Sequence, residues 1–337
     1  MRTNLSKFTC CFSDYPWPED AADFPTANDV ASYLENYALH FDLRQHVKLC
    51  TQVTSITPES AETECAGGRM RVCWTSSLKK GDIIHESRGV GIYDCVIVAS
   101  GIFAEPCLPA VRGLESFAGK GGVTHASMYR EPGSFANQRV LVVGAAFSGA
   151  DIAAEIATTA ESVVVSARRP LWYLPRYLGA KPIDLCFYSR AAADRGRGTA
   201  EDEKNRRKHA FFSQVAQNPG PLPTPPNDGG PAYVAISDNF PTALREGKVS
   251  VCASGLAAVE GTTALFDDGA RLNFDAIVVA TGFKVNLPFL PEAVRKSLEL
   301  TEDQLQPLIL FETVWRPEFP KLAFVCSAVF QVGRGGG

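Results

Sequence analysis

RVLVV (139–143), GAAFSG (144–149), ADIAAEIATTA (150–160) and SVVVSARR (162–169) follow one another in the middle of the chain. The first and last are apolar runs of strand length, the third is a small-residue helical pattern, and the second is a glycine turn. That order predicts a right-handed βαβ unit of about 30 residues. A strand ending in Gly144, with Gly149 where the helix starts, turns backbone amides and the positive end of the helix dipole toward one point, which suits a pyrophosphate. Ala146, Phe147 and Ser148 complete the turn. The usual GxGxxG spacing asks for glycine where this chain has Ala146, and a degenerate fingerprint also fits a tight turn that binds nothing. Its place between two strands favours a nucleotide. Beyond the second strand a site for NAD would offer Asp or Glu to the ribose, whereas this chain offers Ser166, Arg168 and Arg169. Guanidinium groups pair with a 2′-phosphate through charge-assisted hydrogen bonds, so NADP is the expected nucleotide; a solvated arginine pair is the plainer alternative.

Outward from this unit, DCVIVASG (94–101) and DAIVVATG (275–282) share an acidic start, an apolar run and a small-residue turn. Both read as buried parallel strands. They bracket the βαβ unit, so a nucleotide domain inserted into a discontinuous domain is expected, with crossings near residues 126 and 274. Before them, Val30, Tyr33, Leu34 and Tyr37 fall at helical spacing within a helix from about Asn28 to Leu43. Residues 51–56, 70–75 and 83–93 alternate as antiparallel strands do. The polar, Pro- and Gly-rich stretch 191–235 reads as a surface excursion carrying one helix, Glu201 to Val215, and short strands are expected at 249–251 and 264–267.

With 337 residues, 45% of them hydrophobic, the chain is long enough for about two domains. A formal charge of −4 gives no electrostatic reason to expect nucleic acid or an acidic membrane surface. The ten cysteines have no metal-site spacing and read as mostly buried thiols in a reducing, cytoplasmic setting. Neither a signal peptide nor an apolar run of about 18 residues is visible. No GxSxG or HExxH motif supports a hydrolase or a metalloenzyme, and no metal is expected. The interleaved Arg168, Arg169, Trp172, Tyr173, Arg176 and Tyr177 could form a nucleic-acid surface, but directly after a nucleotide strand they read as cofactor contact and packing.

Across nearly its whole length the chain resembles the flavin-containing monooxygenase family. The similarity runs through Thr3–Lys7, Phe12–Pro18, Ser100-Gly101 with Pro106, Leu108 and Pro109, then His125 and Tyr129 of an FxGxxxHxxxY motif. In that motif Phe117 and Gly119 sit two residues too far upstream, an insertion at Gly121-Gly122. It continues through GAAFSGADIA, Pro175-Arg176, Ser237-Asp238 with Phe240, and Ala280–Phe283 with Pro288–Leu290. The resemblance implies an α/β, two-dinucleotide, Rossmann-like flavoprotein. In it NADPH reduces FAD, and a flavin C4a-hydroperoxide oxygenates a soft nitrogen or sulfur nucleophile, an amine or thioether, with molecular oxygen as co-substrate. It makes Asn4 the catalytic asparagine, an Asx turn being the alternative, and adds Val53, Gly101, Thr281 and Gln331 to the cofactor contacts. His125 is expected as an interdomain hydrogen-bonding residue.

The family carries two glycine fingerprints, and the chain begins where the first would have ended. The expected organisation is therefore a partial FAD domain (1–126), an NADP domain (127–273) and the rest of the FAD domain (274–337), with the first FAD-binding βαβ unit missing. On this reading the strands ending at Gly101 and Gly282 lack a central neighbour and present open edges. A non-catalytic NADP-binding fragment and a Baeyer–Villiger enzyme acting on ketones are the alternatives, and the chain alone is expected to purify without stoichiometric flavin, as visible absorbance would test.

Overall fold

The computed structural model describes residues 2–59, 68–80, 83–187, 198–218, 222–299, 308, 310–312 and 314–325. Helix α1 (Ala27–His40) comes first, then strands β1 (Thr51–Pro58), β2 (Met70–Lys80), β3 (Ile83–Tyr93), β4 (Val96–Val98) and β5 (Gly122–His125). The central unit is β6 (Arg139–Val143), α2 (Phe147–Ile156) and β7 (Ser162–Ser166), continued by β8 (Trp172–Leu174), the short helix α3 (Asp184–Phe187) and α4 (Glu201–Val215). Then come β9 (Val234–Ile236), α5 (Asn239–Arg245), β10 (Val249–Cys252), β11 (Leu256–Glu260), β12 (Thr263–Phe266), β13 (Arg271–Asn273), β14 (Ala276–Val279) and β15 (Leu322–Phe324).

The predicted βαβ unit forms the heart of a five-stranded sheet of order β10-β7-β6-β14-β5, with every pairing parallel. Both its faces are covered, which is why its strands carry unbroken apolar runs. Val140, Val142, Val163, Val165 and Val278 pack with Ile152 and Ile156 of α2 and with Phe240 and Leu244 of α5. Leu141, Val143, Ile277 and Val279 point the other way, onto Leu256, Val259 and Phe266 of the antiparallel sheet β11-β12-β13 and onto Phe274. Leu141, Ile152 and Ile277 are fully buried or nearly so, each contributing roughly 1.5–3 kcal/mol of transfer free energy.

The chain divides into two compact units, Met1–Leu43 with Leu108–Thr281, and Arg44–Cys107 with Gly282–Gly337. These bounds differ from crossings at 126 and 274. β5 and β14 hydrogen-bond into the nucleotide sheet, and that pairing draws the flanking residues into the first unit. The open edge expected for the strand ending at Gly282 is thereby corrected: β14 has β6 on one side and β5 on the other. Its sequence twin β4 lies in the second unit, paired only with β15 among the described strands. There Ile97 is 66% exposed, so the reading of that run as wholly buried fails. The turn design is nevertheless common to both copies, Gly101 and Gly282 each having positive φ (74° and 85°). The second unit also holds the antiparallel sheet β1-β2-β3, with Ile56, Met70 and Val72 packed on Val98, Leu322 and Phe324, and a short helix, Glu292–Ser297, that adds Val294 to the same core.

Helix α1 starts at a capping box, Thr26 with Asp29, one residue before the expected start, and ends three before Leu43. Of its apolar stripe only Tyr33 is buried, stacked on Trp17. Within residues 191–235, α4 has the expected bounds, but it is more than a surface excursion. Phe212 packs with Trp172 and Leu174, and the Trp172 indole N–H donates to His209 Nδ1 at 2.9 Å. The cysteines are corrected too: none of the eight described is buried, and all are free thiols.

Asp275, the acidic start of the second copy, ties two strands together. Its carboxylate accepts from Arg139 N at 3.0 Å, Nε at 3.1 Å and Nη2 at 3.2 Å, and these bonds hold its pKa down to about 2. A depressed folded-state pKa adds stability above the ordinary carboxylate value and loses it as pH falls toward 2. Asp275→Asn should therefore lower the urea midpoint at pH 7, with the gap to the native chain closing below about pH 4. A gap independent of pH would assign the loss to packing.

Candidate functional site: a glycine turn with an arginine pair

β6 and β14 end side by side where the strand order reverses, the place at which open parallel sheets bind ligands. Gly144 leaves β6 at φ 102°, where a Cβ would lie 2.6 Å from the Ala280 carbonyl oxygen. A Cβ on Gly149 would lie 1.9 Å from the Gly144 carbonyl oxygen, so α2 packs on the strand end only because that position is glycine. The helix opens at Phe147 behind Ala146, whose φ of −74° and ψ of −168° are ordinary extended backbone. An alanine thus replaces the usual glycine without strain. No side chain caps α2, and Ala146 and Ser148 are exposed, which leaves the first-turn amides and the dipole facing outward.

Two supports of the turn were not read from the sequence. The Tyr173 hydroxyl, buried within β8, donates to the Ala145 carbonyl at 2.6 Å; burial pushes this phenol well above its ordinary pKa and keeps it a donor. Asn218 fixes Tyr173 in turn, accepting from its backbone N–H at 2.9 Å and donating to the Leu171 carbonyl at 2.7 Å. The signal available was an aromatic residue just beyond the arginine pair.

Ser166 ends β7 with its hydroxyl buried and donating to the Ser254 carbonyl at 2.7 Å, which anchors the strand end. Arg168 and Arg169 follow, both exposed. Arg169 lies 5.4 Å from the Tyr233 ring centre, and among the described residues Arg168 has neither a hydrogen bond nor an ion pair. Trp172, Tyr173 and Arg176, by contrast, are buried, so that part of the cation–aromatic run is core.

Asn4 lies in the same unit, with its amide oxygen buried and without a hydrogen-bond partner. An unpaired buried acceptor costs about 1–3 kcal/mol unless a donor reaches it. Behind it Arg176 Nε donates to the Thr3 carbonyl at 3.2 Å, while Nη1 pairs with Asp238 at 3.2 Å and Nη2 lies 3.9 Å from Asp151. Burial raises the Asp151 pKa against the lowering effect of a Ser237 hydrogen bond and of Arg176. With Arg2, Glu155 and Asn239, Asp151 and Arg176 line a cleft of about 170 Å³.

The remaining candidates are dispersed. Thr281 ends the first unit, just after Ala280, whereas Val53 and Gly101 belong to the second, Val53 exposed at a bulge in β1 and Gly101 with open space around it. Gln331 lies outside the described residues. His125 caps the following turn, its Nδ1 accepting from Ser127 N at 3.1 Å. Tyr129 donates to Glu155 at 3.1 Å.

A parallel sheet with this turn at its switch point defines a dinucleotide-binding α/β protein. The model of the "Flavin-binding monooxygenase-like" family matches residues 1–332, and the chain belongs to that family. It is 30% identical to rat "Flavin-containing monooxygenase 5" over 87% of this chain and 53% of the relative. It is also 30% identical to rabbit "Dimethylaniline monooxygenase [N-oxide-forming] 4" over 87% of this chain and 51% of the relative. The chain therefore spans about half the length of these relatives. Among solved structures, cyclohexanone monooxygenase from Rhodococcus sp. Phi1 bound to NADP+ shares the fold (TM-score 0.63, 20% identity, 96% of this chain and 70% of that one). So does the flavin-containing monooxygenase of Stenotrophomonas maltophilia (TM-score 0.60, 20% identity, 96% and 76%). No helix among the described residues is long and apolar enough to cross a membrane.

Proposed function

We propose that the chain carries the NADP site and the active-site asparagine of an NADPH- and FAD-dependent monooxygenase acting on soft nitrogen or sulfur nucleophiles. The carrying observation is the glycine turn of Gly144 and Gly149 beside the exposed Arg168 and Arg169. On this reading the amides of Phe147, Ser148 and Gly149 hold the pyrophosphate at the α2 terminus, and the guanidinium of Arg168, with Arg169, takes the 2′-phosphate. Flavin follows from the family, and FAD from the resemblance. When bound, it accepts hydride from NADPH and activates oxygen for transfer to substrate. The Asn4 amide fits beside such a group, its buried oxygen able to accept from a carboxamide or ring N–H. The second unit, with Val53 and Gly101, is assigned to the flavin side. The N-oxide-forming activity in the rabbit relative's name favours an amine substrate over a ketone.

The test is twofold. The full chain, titrated with NADPH and with NADH under fluorescence detection, should bind NADPH more tightly, and equal affinities would overturn the NADP assignment. In the flavin-loaded protein, an amine or thioether should be oxygenated in preference to a ketone, the reverse order pointing to Baeyer–Villiger chemistry. Asn4→Leu, which keeps side-chain size and removes hydrogen bonding, should retain flavin and raise the ratio of hydrogen peroxide released to NADPH consumed. Unchanged coupling would remove Asn4 from the mechanism.

A further inference from the structure

We infer that Asp184 is a positioning residue for Asn4, acting with Arg176 as a clamp on the turn that carries it; the inference rests on the reading of Asn4 given above. Asp184 is fully buried, and among the described residues no cation pairs with it. Its Oδ2 accepts from Ser6 N at 2.8 Å, from Ser6 Oγ at 2.8 Å and from Thr9 Oγ1. Three donors thus converge on one buried carboxyl oxygen, and each would lose its acceptor if that oxygen were removed. Its Oδ1 has no partner. On the other side of Asn4, the Arg176 guanidinium donates to the Thr3 carbonyl, and Thr3 N donates to the Pro25 carbonyl at 2.9 Å. Arg176 and Asp184 are coupled to each other, because Ile183 N donates to the Arg176 carbonyl at 2.9 Å.

Residues 3, 6 and 9 are thus tied down, while the amide oxygen of Asn4 between them is left unpaired. A turn fixed at both ends with its head group free is what positioning for a ligand N–H requires. Both ties come from the segment that begins at the arginine pair and runs through β8. The nucleotide's 2′-phosphate site and the Asn4 turn are therefore held by one continuous stretch, and Asp184 sets the register between them.

Hydrogen exchange on the full chain tests the clamp without any cofactor. Asp184→Leu removes the acceptor, and exchange in residues 2–12 should quicken by on the order of tenfold while 139–166 stays protected. Asp184→Asn keeps an oxygen toward the three donors and should restore most of the protection. If the leucine variant does not fold, Ser6→Ala with Thr9→Val removes two donors and should give the same local loss. In the flavin-loaded protein, the peroxide-to-NADPH ratio should rise in Asp184→Leu and recover in Asp184→Asn, with NADPH affinity unchanged in both. Unchanged exchange at 2–12 overturns the clamp. Faster exchange with an unchanged ratio overturns the positioning role, provided that Asn4→Leu itself uncouples; an unchanged ratio in Asn4→Leu overturns instead the reading of Asn4, and the inference with it.

Discussion

Gly149→Val is expected to disable nucleotide binding and to destabilise the first unit by about 3 kcal/mol or more, at or beyond the upper range of overpacking penalties. A Cβ at this position would sit 1.9 Å from the Gly144 carbonyl oxygen and 2.8 Å from its carbon. These are backbone atoms with little freedom to yield. Gly144 N is bonded to the Ser166 carbonyl at 3.0 Å, and the Ala280 backbone closes the other side. The strain must therefore be relieved by moving α2 off the strand end, which carries its amides away from the phosphate position. Gly149→Ala should show the same effect in weaker form. The measurements are the urea midpoint and the NADPH dissociation constant; a loss under about 0.5 kcal/mol with unchanged affinity would mean that α2 shifts freely and that the turn is not a fixed cradle.

Arg168→Ala is expected to weaken NADPH by about 1–3 kcal/mol, roughly 5- to 150-fold, and to leave NADH nearly unaffected. Only NADPH carries the 2′-phosphate, so the difference between the two cofactors isolates that contact from pyrophosphate binding and from any general loss of fold. Arg168 is exposed and forms no ion pair among the described residues, so its removal breaks no ion pair within the fold. The NADPH advantage of the native chain should also shrink as salt rises, because an exposed ion contact is screened. Equal losses for both cofactors would show that Arg168 does not read the 2′-phosphate.

The nucleotide half of the candidate site was legible in consecutive residues. Gly144 and Gly149 declare a turn that no side chain could occupy, and the arginines after β7 declare an exposed pair of cations. The supports of that turn were not legible. Tyr173 meets the Ala145 carbonyl across 28 residues, and Asp184 meets Ser6 across 178. The cysteines misled for a similar reason, since composition ranks a thiol as buried but cannot say which face of a sheet it occupies. Ile97 and Ile277 sit in nearly identical strings, yet one is exposed and the other fully buried.

What this sequence determined by itself is therefore whatever adjacent residues impose on one another. That covers the βαβ unit, helix α4 with its 15 residues, the three antiparallel strands, and the glycines at positive φ that close both apolar strands. Only the tertiary structure decided that β14 joins the nucleotide sheet, that the two units divide at residues 43, 107 and 281, and that Asn4 lies in the same unit as the arginine pair. Backbone preference and hydrophobic period act over a few residues and are written locally. The partner of a strand, or of a buried carboxylate, is chosen among all segments at once by which pairing buries the most apolar surface and leaves the fewest polar groups unpaired.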